Sequence, residues 1–377
     1  MSDTITVPRG LAGVEVTDTE IGDVLGEEGF YHYRGLSAVD LATTRSFEEV
    51  WHLLAVGHLP TDAEIESFLR RVGPLRVLPA VVSDVLPAIC AATSEPLQVL
   101  RTALSLWGST SGQRPLYDSP EAERLQSALA VASVTPTIVA AAHRLQKGLE
   151  PLDPDPALGL AEDYLRMVTG RVPEPRDARA VESYLVSTMD HGFNASTFTA
   201  RVVASTGADL AACVVAALGS FSGPKHGGAP SRALEALDEI GSADRAEGYV
   251  RDHLLRGERI MGFGHAVYRT RDPRSEMLRG IAQRYDHPLV DLAVQVEEIF
   301  ERTLAELKPG RELHANVEFY AGVVMKVAGL EPAMFTPTFC VARMVGWTAN
   351  ILEQARDTKI IRPSARYIGP SPAPAAT

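Results

Sequence analysis

The stretch Ile260-Met-Gly-Phe-Gly-His-Ala-Val-Tyr-Arg-Thr-Arg-Asp-Pro-Arg274 sets one histidine, His265, in a glycine-framed turn and follows it with Arg269, Arg271 and Arg274. It interrupts an acidic chain whose formal net charge is -12 at pH 7. From Arg251 to Arg284, eight arginines stand against Asp252, Glu258, Asp272 and Glu276. The planar guanidinium fork matches carboxylates and phosphates. A titratable imidazole beside such a cluster points to an enzyme acting on small polyanions.

Outward from this island the pattern is helical in both directions. Leu160, Tyr164, Leu165 and Val168 form one apolar stripe, and Val181, Tyr184, Leu185 and Thr188 another. Leu292, Val296, Ile299, Phe300, Leu304 and Leu307 repeat the 3–4 spacing and stop at Pro309-Gly310. Thr336-Pro337 predicts an N-cap and first-turn proline opening a long helix to about Arg356. Near the start, Val14–Ile21 and Phe30–Tyr33 flank a Gly26-Glu-Glu-Gly29 turn, which predicts a small β-hairpin. The tail after Gly369 is expected to be disordered. With no internal repeat and no alternating strand–helix pattern, the fold class is mainly α.

At 377 residues, the chain can bury one large core or two medium ones. The net negative charge argues against general nucleic-acid binding and against anionic membrane surfaces. Cys90, Cys213 and Cys340 are far apart in apolar surroundings, as reduced buried thiols would be. The longest strongly apolar run without charge, Leu210–Phe221, is too short to span a bilayer and is expected as a helix buried on all sides. The first ten residues carry no basic-then-apolar leader pattern. A soluble, cytoplasmic protein is expected.

Four segments gather chemistry at helix ends and glycine turns: Asp190–Ser196 with His191, Gly223–Ala229 with His226, the opening stretch with His265, and Asn316–Tyr320 with Glu318. Taken singly, each has a plainer reading. His191 suits a helix cap, His226 a loop, Glu318 a solvated helix face, and the arginines a solvated basic face. Gly262-Phe-Gly264 lacks the third glycine and the strand–helix frame of a dinucleotide fingerprint. A metal site built from His226, His265 and Glu318 has no ligand spacing to support it, and neighbouring arginines would repel a cation. No metal is expected.

In combination, the segments GLAGVEV, YRGLSAVDLA, DHGFNASTFTARVVASTGAD, GPKHGGAP, GFGHAVYRTRDPR, NVEFYAG, ARMVGWTANILEQ and RPSARYIG resemble the citrate synthase family. They span Gly10 to Gly369 in the family's order. The resemblance implies a two-domain helical homodimer. Its large domain would be formed by residues 1–221 and 330–377, and its small domain, 222–329, would close over the substrates. It also implies condensation of acetyl-CoA with oxaloacetate, followed by thioester hydrolysis, with no permanently bound cofactor.

By the same resemblance Glu318 is the base, His226 donates to the enolate oxygen, and His265 polarises and then protonates the ketone oxygen of oxaloacetate. His191, Arg274, Arg343 and Arg362 bind that dicarboxylate, Arg362 being supplied to the partner subunit's site. Arg269 and Arg271 are candidates for CoA phosphate contacts. Two residues depart from the pattern. Most relatives carry aspartate where this chain has Glu318, and many bacterial relatives carry histidine at Asn350. A displacement of about 1 Å can cost on the order of 100-fold in rate. Two alternatives stand beside citrate synthase: a 2-methylcitrate synthase using propionyl-CoA, since one methylene discriminates by only about 1–3 kcal/mol in an apolar pocket, and, motivated by Glu318, a catalytically weak paralogue that binds CoA or dicarboxylates.

Overall fold

The computed structural model describes residues 5–370 apart from 225, 228 and 266. The tail expected to be disordered therefore lies almost wholly outside the described residues.

Three short antiparallel strands, β1 (Gly22–Leu25), β2 (Phe30–Tyr33) and β3 (Leu36–Ser37), precede the helices. These are α1 (Ala38–Thr44), α2 (Phe47–Val56), α3 (Asp62–Val72), α4 (Ala80–Ala92), α5 (Pro96–Thr110) and α6 (Glu121–Gln146). Next come α7 (Leu160–Thr169), α8 (Pro175–Ser187), α9 (Ala195–Ala204), α10 (Leu210–Phe221) and α11 (Ala229–Ile240). The chain continues through α12 (Ala243–Arg256), α13 (Pro273–Ala282), α14 (Pro288–Leu307), α15 (Val317–Val327) and α16 (Phe335–Gln354). The stripes at 160–168, 181–188 and 292–307 fall on α7, α8 and α14.

Local chemistry sets many of the helix starts. Ser46–Glu49 and Thr61–Glu64 form reciprocal capping boxes on α2 and α3. Asn194, Asp209, Asp272 and Asn316 each accept a first-turn amide at the starts of α9, α10, α13 and α15. Three of the four chemistry-bearing segments are thus fixed by caps.

The core is organised around α6 and α16. Both are buried along most of their length, α6 from Ala128 to His143 and α16 from Phe335 to Ile351 with few breaks. Helix α6 is long and apolar enough to cross a membrane, but 78% of its most apolar window is buried inside the protein. A smaller core of Val250, Leu254, Ile260, Phe300 and Leu304 lies between α12 and α14.

Three expectations are corrected. The expected hairpin around Gly26–Gly29 is present, but a third strand extends it and its first strand begins at Gly22, not Val14. Residues 17–20 are engaged elsewhere: Arg201 donates to Thr17 Oγ1 and the Asp18 carbonyl, and the Glu20 amide donates to Glu353 at 2.7 Å. Helix α16 begins at Phe335, directly after a 3-10 turn at Pro332–Met334, so Thr336 lies inside the first turn and does not cap it. Pro337 is tolerated there because first-turn amides have no intrahelical acceptor. Helix α10 is not buried on all sides: Ala212 is exposed, and Val215, Ala216, Gly219 and Ser220 are half-exposed.

Candidate active site

Gly262 and Gly264 have φ of 89° and 84°, and a Cβ on Gly262 would lie 2.8 Å from the Phe319 ring. Only glycine allows this loop so close to α15. The loop is laced to the start of that helix. The Gly264 amide donates to the His314 carbonyl (2.8 Å), the Asn316 amide to the Gly262 carbonyl (2.9 Å), and Asn316 Nδ2 to the Gly264 carbonyl (2.9 Å). Asn316 Oδ1 in turn accepts the Glu318 amide at 3.1 Å. One asparagine therefore ties the His265 loop to the helix that carries Glu318.

The His265 ring is oriented by its own backbone. Nδ1 accepts the amides of Val267 and Tyr268, each at 3.0 Å, so a neutral ring carries its proton on Nε2. Burial, reinforced by Arg274, pushes its pKa down to about 4. At neutral pH the ring is thus a neutral Nε2–H donor. Arg274 Nη2 lies 3.3 Å from that nitrogen, giving two donors close enough for one substrate oxygen to bridge.

Arg274 is only 3% exposed and lies between the rings of Tyr31 and Tyr268, 5.8 and 5.7 Å from their centroids. Asp272 holds it. Oδ1 accepts the Arg274 amide and Nε at 3.0 Å each, and Oδ2 accepts Nη2 at 2.8 Å and the Val317 amide at 3.0 Å. Burial works against the Arg274 charge, but the Asp272 carboxylate outweighs it and holds the pKa above the usual arginine range. Among the described residues Nη1 has no protein acceptor, so it is free to bind an anion.

A second guanidinium, Arg343 of α16, is 2% exposed. Its Nε donates to the Thr188 carbonyl at 3.0 Å, and its head lies over Phe339. The terminal nitrogens meet no protein acceptor among the described residues. Buried unpaired cations are costly, and a bound carboxylate removes that cost. Beside it, Asp190 accepts from Asn350 Nδ2 and the Gly192 amide, and burial raises its pKa to about 6. Asn350 also donates to the Gly346 carbonyl, so it braces α16 against the Asp190 turn.

His191 follows Asp190. Its Nε2 lies 3.0 Å from the Tyr268 hydroxyl, and its ring packs edge-on to His265 at 5.7 Å. Burial, then Arg274 and Arg343, holds it neutral. The expectation of a helix cap is replaced by a half-buried member of the cluster; Asn194 caps α9 instead.

His226 Nε2 lies 2.8 Å from Ser196 Oγ, which also accepts Trp347 Nε1–H at 3.0 Å. Burial lowers the His226 pKa to about 4. Ser196 Oγ lies 2.8 Å from Asn194 Oδ1 as well, so its single proton has two acceptors; in the arrangement that gives it to Nε2, the neutral His226 ring carries its own proton on Nδ1 and can donate it. Two neighbours in this motif, Lys225 and Gly228, lie outside the described residues.

Glu318 sits in the first turn of α15, half-buried rather than on a fully solvated face. Its carboxylate makes no hydrogen bond or ion pair among the described residues. Burial raises its pKa to about 7, partly offset by Arg274 and assisted by Asp272. An unpartnered carboxylate that titrates near neutrality is what a general base requires.

Three expected residues stand apart. Arg269 is exposed, and its nearest acid is Glu27 at 3.8 Å. Arg271 is committed to Glu301 at 2.7 Å and approaches Glu297 and Glu276. Arg362 is exposed on the extended segment after α16, where the Ile361 amide donates to Ser205 Oγ. The structure instead supplies Arg259, Lys308 and Arg311 around a cavity of about 410 Å³ that has His265 in its wall. Sequence reading missed these three. Arg259 lies in the basic island, but nothing local connects it with Lys308 and Arg311. It also missed Asp272, Tyr268, Ser196 and Trp347, although the first two lie inside the opening stretch. Among the described residues, no group of three His, Cys, Asp or Glu side chains could hold a metal ion.

A family model described as "Citrate synthase, C-terminal domain" matches residues 10–364. A citrate synthase of Synechocystis is 36% identical over 374 residues, 98% of this chain and 92% of the relative. A 2-methylcitrate synthase of Mycobacterium tuberculosis is 38% identical over 363 residues, 96% and 91% of the two chains. The crystal structure of citrate synthase from Thermotoga maritima superposes with a TM-score of 0.84 at 35% identity, covering 99% of this chain and 98% of that one. The Thermoplasma acidophilum citrate synthase in ternary complex with carboxymethyl coenzyme A and oxaloacetate gives 0.89 at 26% identity, covering 99% of each. With a mainly helical fold and a site of this composition, the chain belongs to the citrate synthase family, enzymes of acyl transfer.

Proposed function

We propose that the protein condenses acetyl-CoA with oxaloacetate and water to give citrate and CoA. The observation that carries this reading is Glu318, a half-buried carboxylate without a partner among the described residues, within electrostatic reach of the buried Arg274. Glu318 takes a proton from the acetyl methyl while His226 Nδ1–H donates to the thioester oxygen as negative charge develops there. The resulting carbon nucleophile forms a C–C bond to the keto carbon of oxaloacetate. His265 Nε2–H donates to the keto oxygen and transfers its proton as the alkoxide forms. Water then cleaves the thioester, releasing CoA.

Arg274 and Arg343 would each take a carboxylate of oxaloacetate, with His191 between them. Arg362 would complete the clamp from the partner subunit. The half-exposed small-residue face of α10 and the exposed Ile360, Tyr367 and Ile368 of the extended segment support such a homodimer. The cavity ringed by Arg259, Lys308 and Arg311 supports a CoA phosphate site displaced from Arg271, with Arg269 lining the adjoining recess. The separate core between α12 and α14 supports a small domain of residues 222–329 closing on the remainder, which would exclude water from the enolate. Three free cysteines suit a reducing, cytoplasmic setting.

The test is thiol release from acetyl-CoA and from propionyl-CoA, each with oxaloacetate. Faster turnover of acetyl-CoA is expected, and faster turnover of propionyl-CoA would establish the 2-methylcitrate alternative. No turnover of either by a folded protein that still binds oxaloacetate would overturn both in favour of a binding paralogue.

A further inference from the structure

We propose that the cleft between α1, α8 and α13 is a binding site for a small organic anion, one with a phosphate or carboxylate head on an apolar body. Two recesses open side by side there. The larger, about 400 Å³, is walled by Phe30, Tyr31, Val39, Met277 and Ile281. The smaller, about 270 Å³, is lined by Arg176, Arg179, Ser183 and Tyr285. Thr43, Ile281 and Arg284 line both, which makes them one continuous cleft.

Positive charge is concentrated at the smaller recess, and not all of it is spent. Arg179 is already engaged with Glu182 and with the carbonyls of Ala42 and Arg45. Arg176 lies over the Tyr285 ring at 4.2 Å and is 3.7 Å from Asp177. The Arg284 guanidinium makes no hydrogen bond or ion pair among the described residues, and neither does the hydroxyl of the buried Ser183. Two guanidinium groups and a hydroxyl thus face the smaller recess with donors to spare, a set that suits an oxyanion. The larger recess offers the Phe30, Tyr31, Val39, Met277 and Ile281 side chains to the rest of the ligand, and the Asp40 and Glu276 carboxylates in its lining would direct the anionic head to the smaller one.

The cleft shares two structural members with the active site. Tyr31 walls the larger recess, and the same ring packs 5.6 Å from His191 and 5.8 Å from the Arg274 guanidinium. Pro273 lines it as well and immediately precedes Arg274. An occupant therefore alters dicarboxylate binding, and by linkage oxaloacetate alters the affinity of the occupant by the same factor. That coupling rests on the oxaloacetate reading above; binding in the cleft does not.

The experiment is calorimetric titration of the full-length protein, without oxaloacetate, with phenyl phosphate, phenylacetate and inorganic phosphate. One saturable site per chain for an aryl anion is expected, with a Kd of about 1 mM or tighter. The doubly substituted Arg176→Ala, Arg284→Ala protein should lose about tenfold or more in affinity. Gly280→Leu places a side chain in the larger recess at a position where an added Cβ meets nothing within 4 Å. It also replaces a helix-interior glycine with a better helix former. This variant should fold, retain inorganic phosphate binding and lose the aryl anions. Absence of saturable binding to the wild-type protein, or equal binding to all three proteins, would overturn the proposal. Aryl anion binding that leaves oxaloacetate affinity unchanged would overturn the coupling through Tyr31 and Arg274.

Discussion

Asp272 holds Arg274 through both carboxylate oxygens and, with one of them, also accepts the Val317 amide at the start of the Glu318 helix. The residue expected to grip substrate and the helix bearing the base are thereby fixed by one buried acid. Each member of this arrangement can be removed and its loss measured.

Asp272→Asn replaces an acceptor that serves four donors with a group that can accept at only one atom. A buried arginine deprived of its carboxylate costs about 3–5 kcal/mol. The variant should unfold at lower temperature, and its KM for oxaloacetate should rise by about 10- to 100-fold. A KM within twofold of the wild type, in a folded protein, would show that Arg274 is positioned by other contacts.

Glu318→Gln should abolish turnover, since a positioned base contributes about 10²–10⁴-fold, yet stabilise the fold at alkaline pH. The Glu318 pKa is raised by burial from 4.5 to about 7. Between those values the folded state holds a proton that the unfolded state has released, so stability falls as pH rises through the window. At about 1.4 kcal/mol per pH unit the loss is about 3 kcal/mol, complete above pH 7. Thermal scans at pH 5 and pH 8 should show the variant gaining on the wild type only at pH 8. An equal difference at both pH values would mean that Glu318 is ionised throughout.

The rate should follow the same group. Below pH 7, kcat/KM should fall about tenfold per pH unit as Glu318 takes up a proton, and it should level above that. His226 and His265, at about 4, add no acidic limb above pH 5. Bound oxaloacetate brings negative charge near Glu318, so the limb in kcat should lie at higher pH than the limb in kcat/KM. Profiles from pH 5.5 to 9 with saturating and limiting oxaloacetate measure both.

Arg362→Ala and Arg274→Ala subunits should each be inactive alone. Mixed under conditions of subunit exchange, half of the dimers pair one with the other, and each such dimer contains one intact site. Activity should return to about a quarter of the wild type. No recovery despite demonstrated exchange would mean that Arg362 serves its own chain or no site at all.

The sequence makes the chemistry of the site more legible than its support. His226, His265, Glu318 and Arg274 stand in compact motifs, where short-range pattern carries chemical meaning. Arg259, Lys308 and Arg311 gather only because α12 and α14 bring distant segments to one cavity, and no local pattern announces that. Arg271 was indistinguishable from Arg274 by composition; only the fold shows it facing Glu297 and Glu301. The starts of β1 and α16 were misplaced because tertiary bonds from Arg201 and Glu353, and the turn at Pro332–Met334, outweigh local preference. Asn350 was unreadable for the same reason: its contacts with Asp190 and Gly346 exist only in three dimensions.

The bracket made by Asn316 and the Gly262–Gly264 loop has an evolutionary consequence. Because the His265 loop, Arg274 and the start of the Glu318 helix are cross-braced by hydrogen bonds, the groups proposed to act on the keto acid are held independently of Arg259, Lys308 and Arg311, which line the proposed carrier cavity. A lineage can remodel that cavity and exchange a two-carbon donor for a three-carbon one while leaving the reactive machinery untouched. Acetyl- and propionyl-specific enzymes can then diverge from one another by small steps without passing through an inactive ancestor.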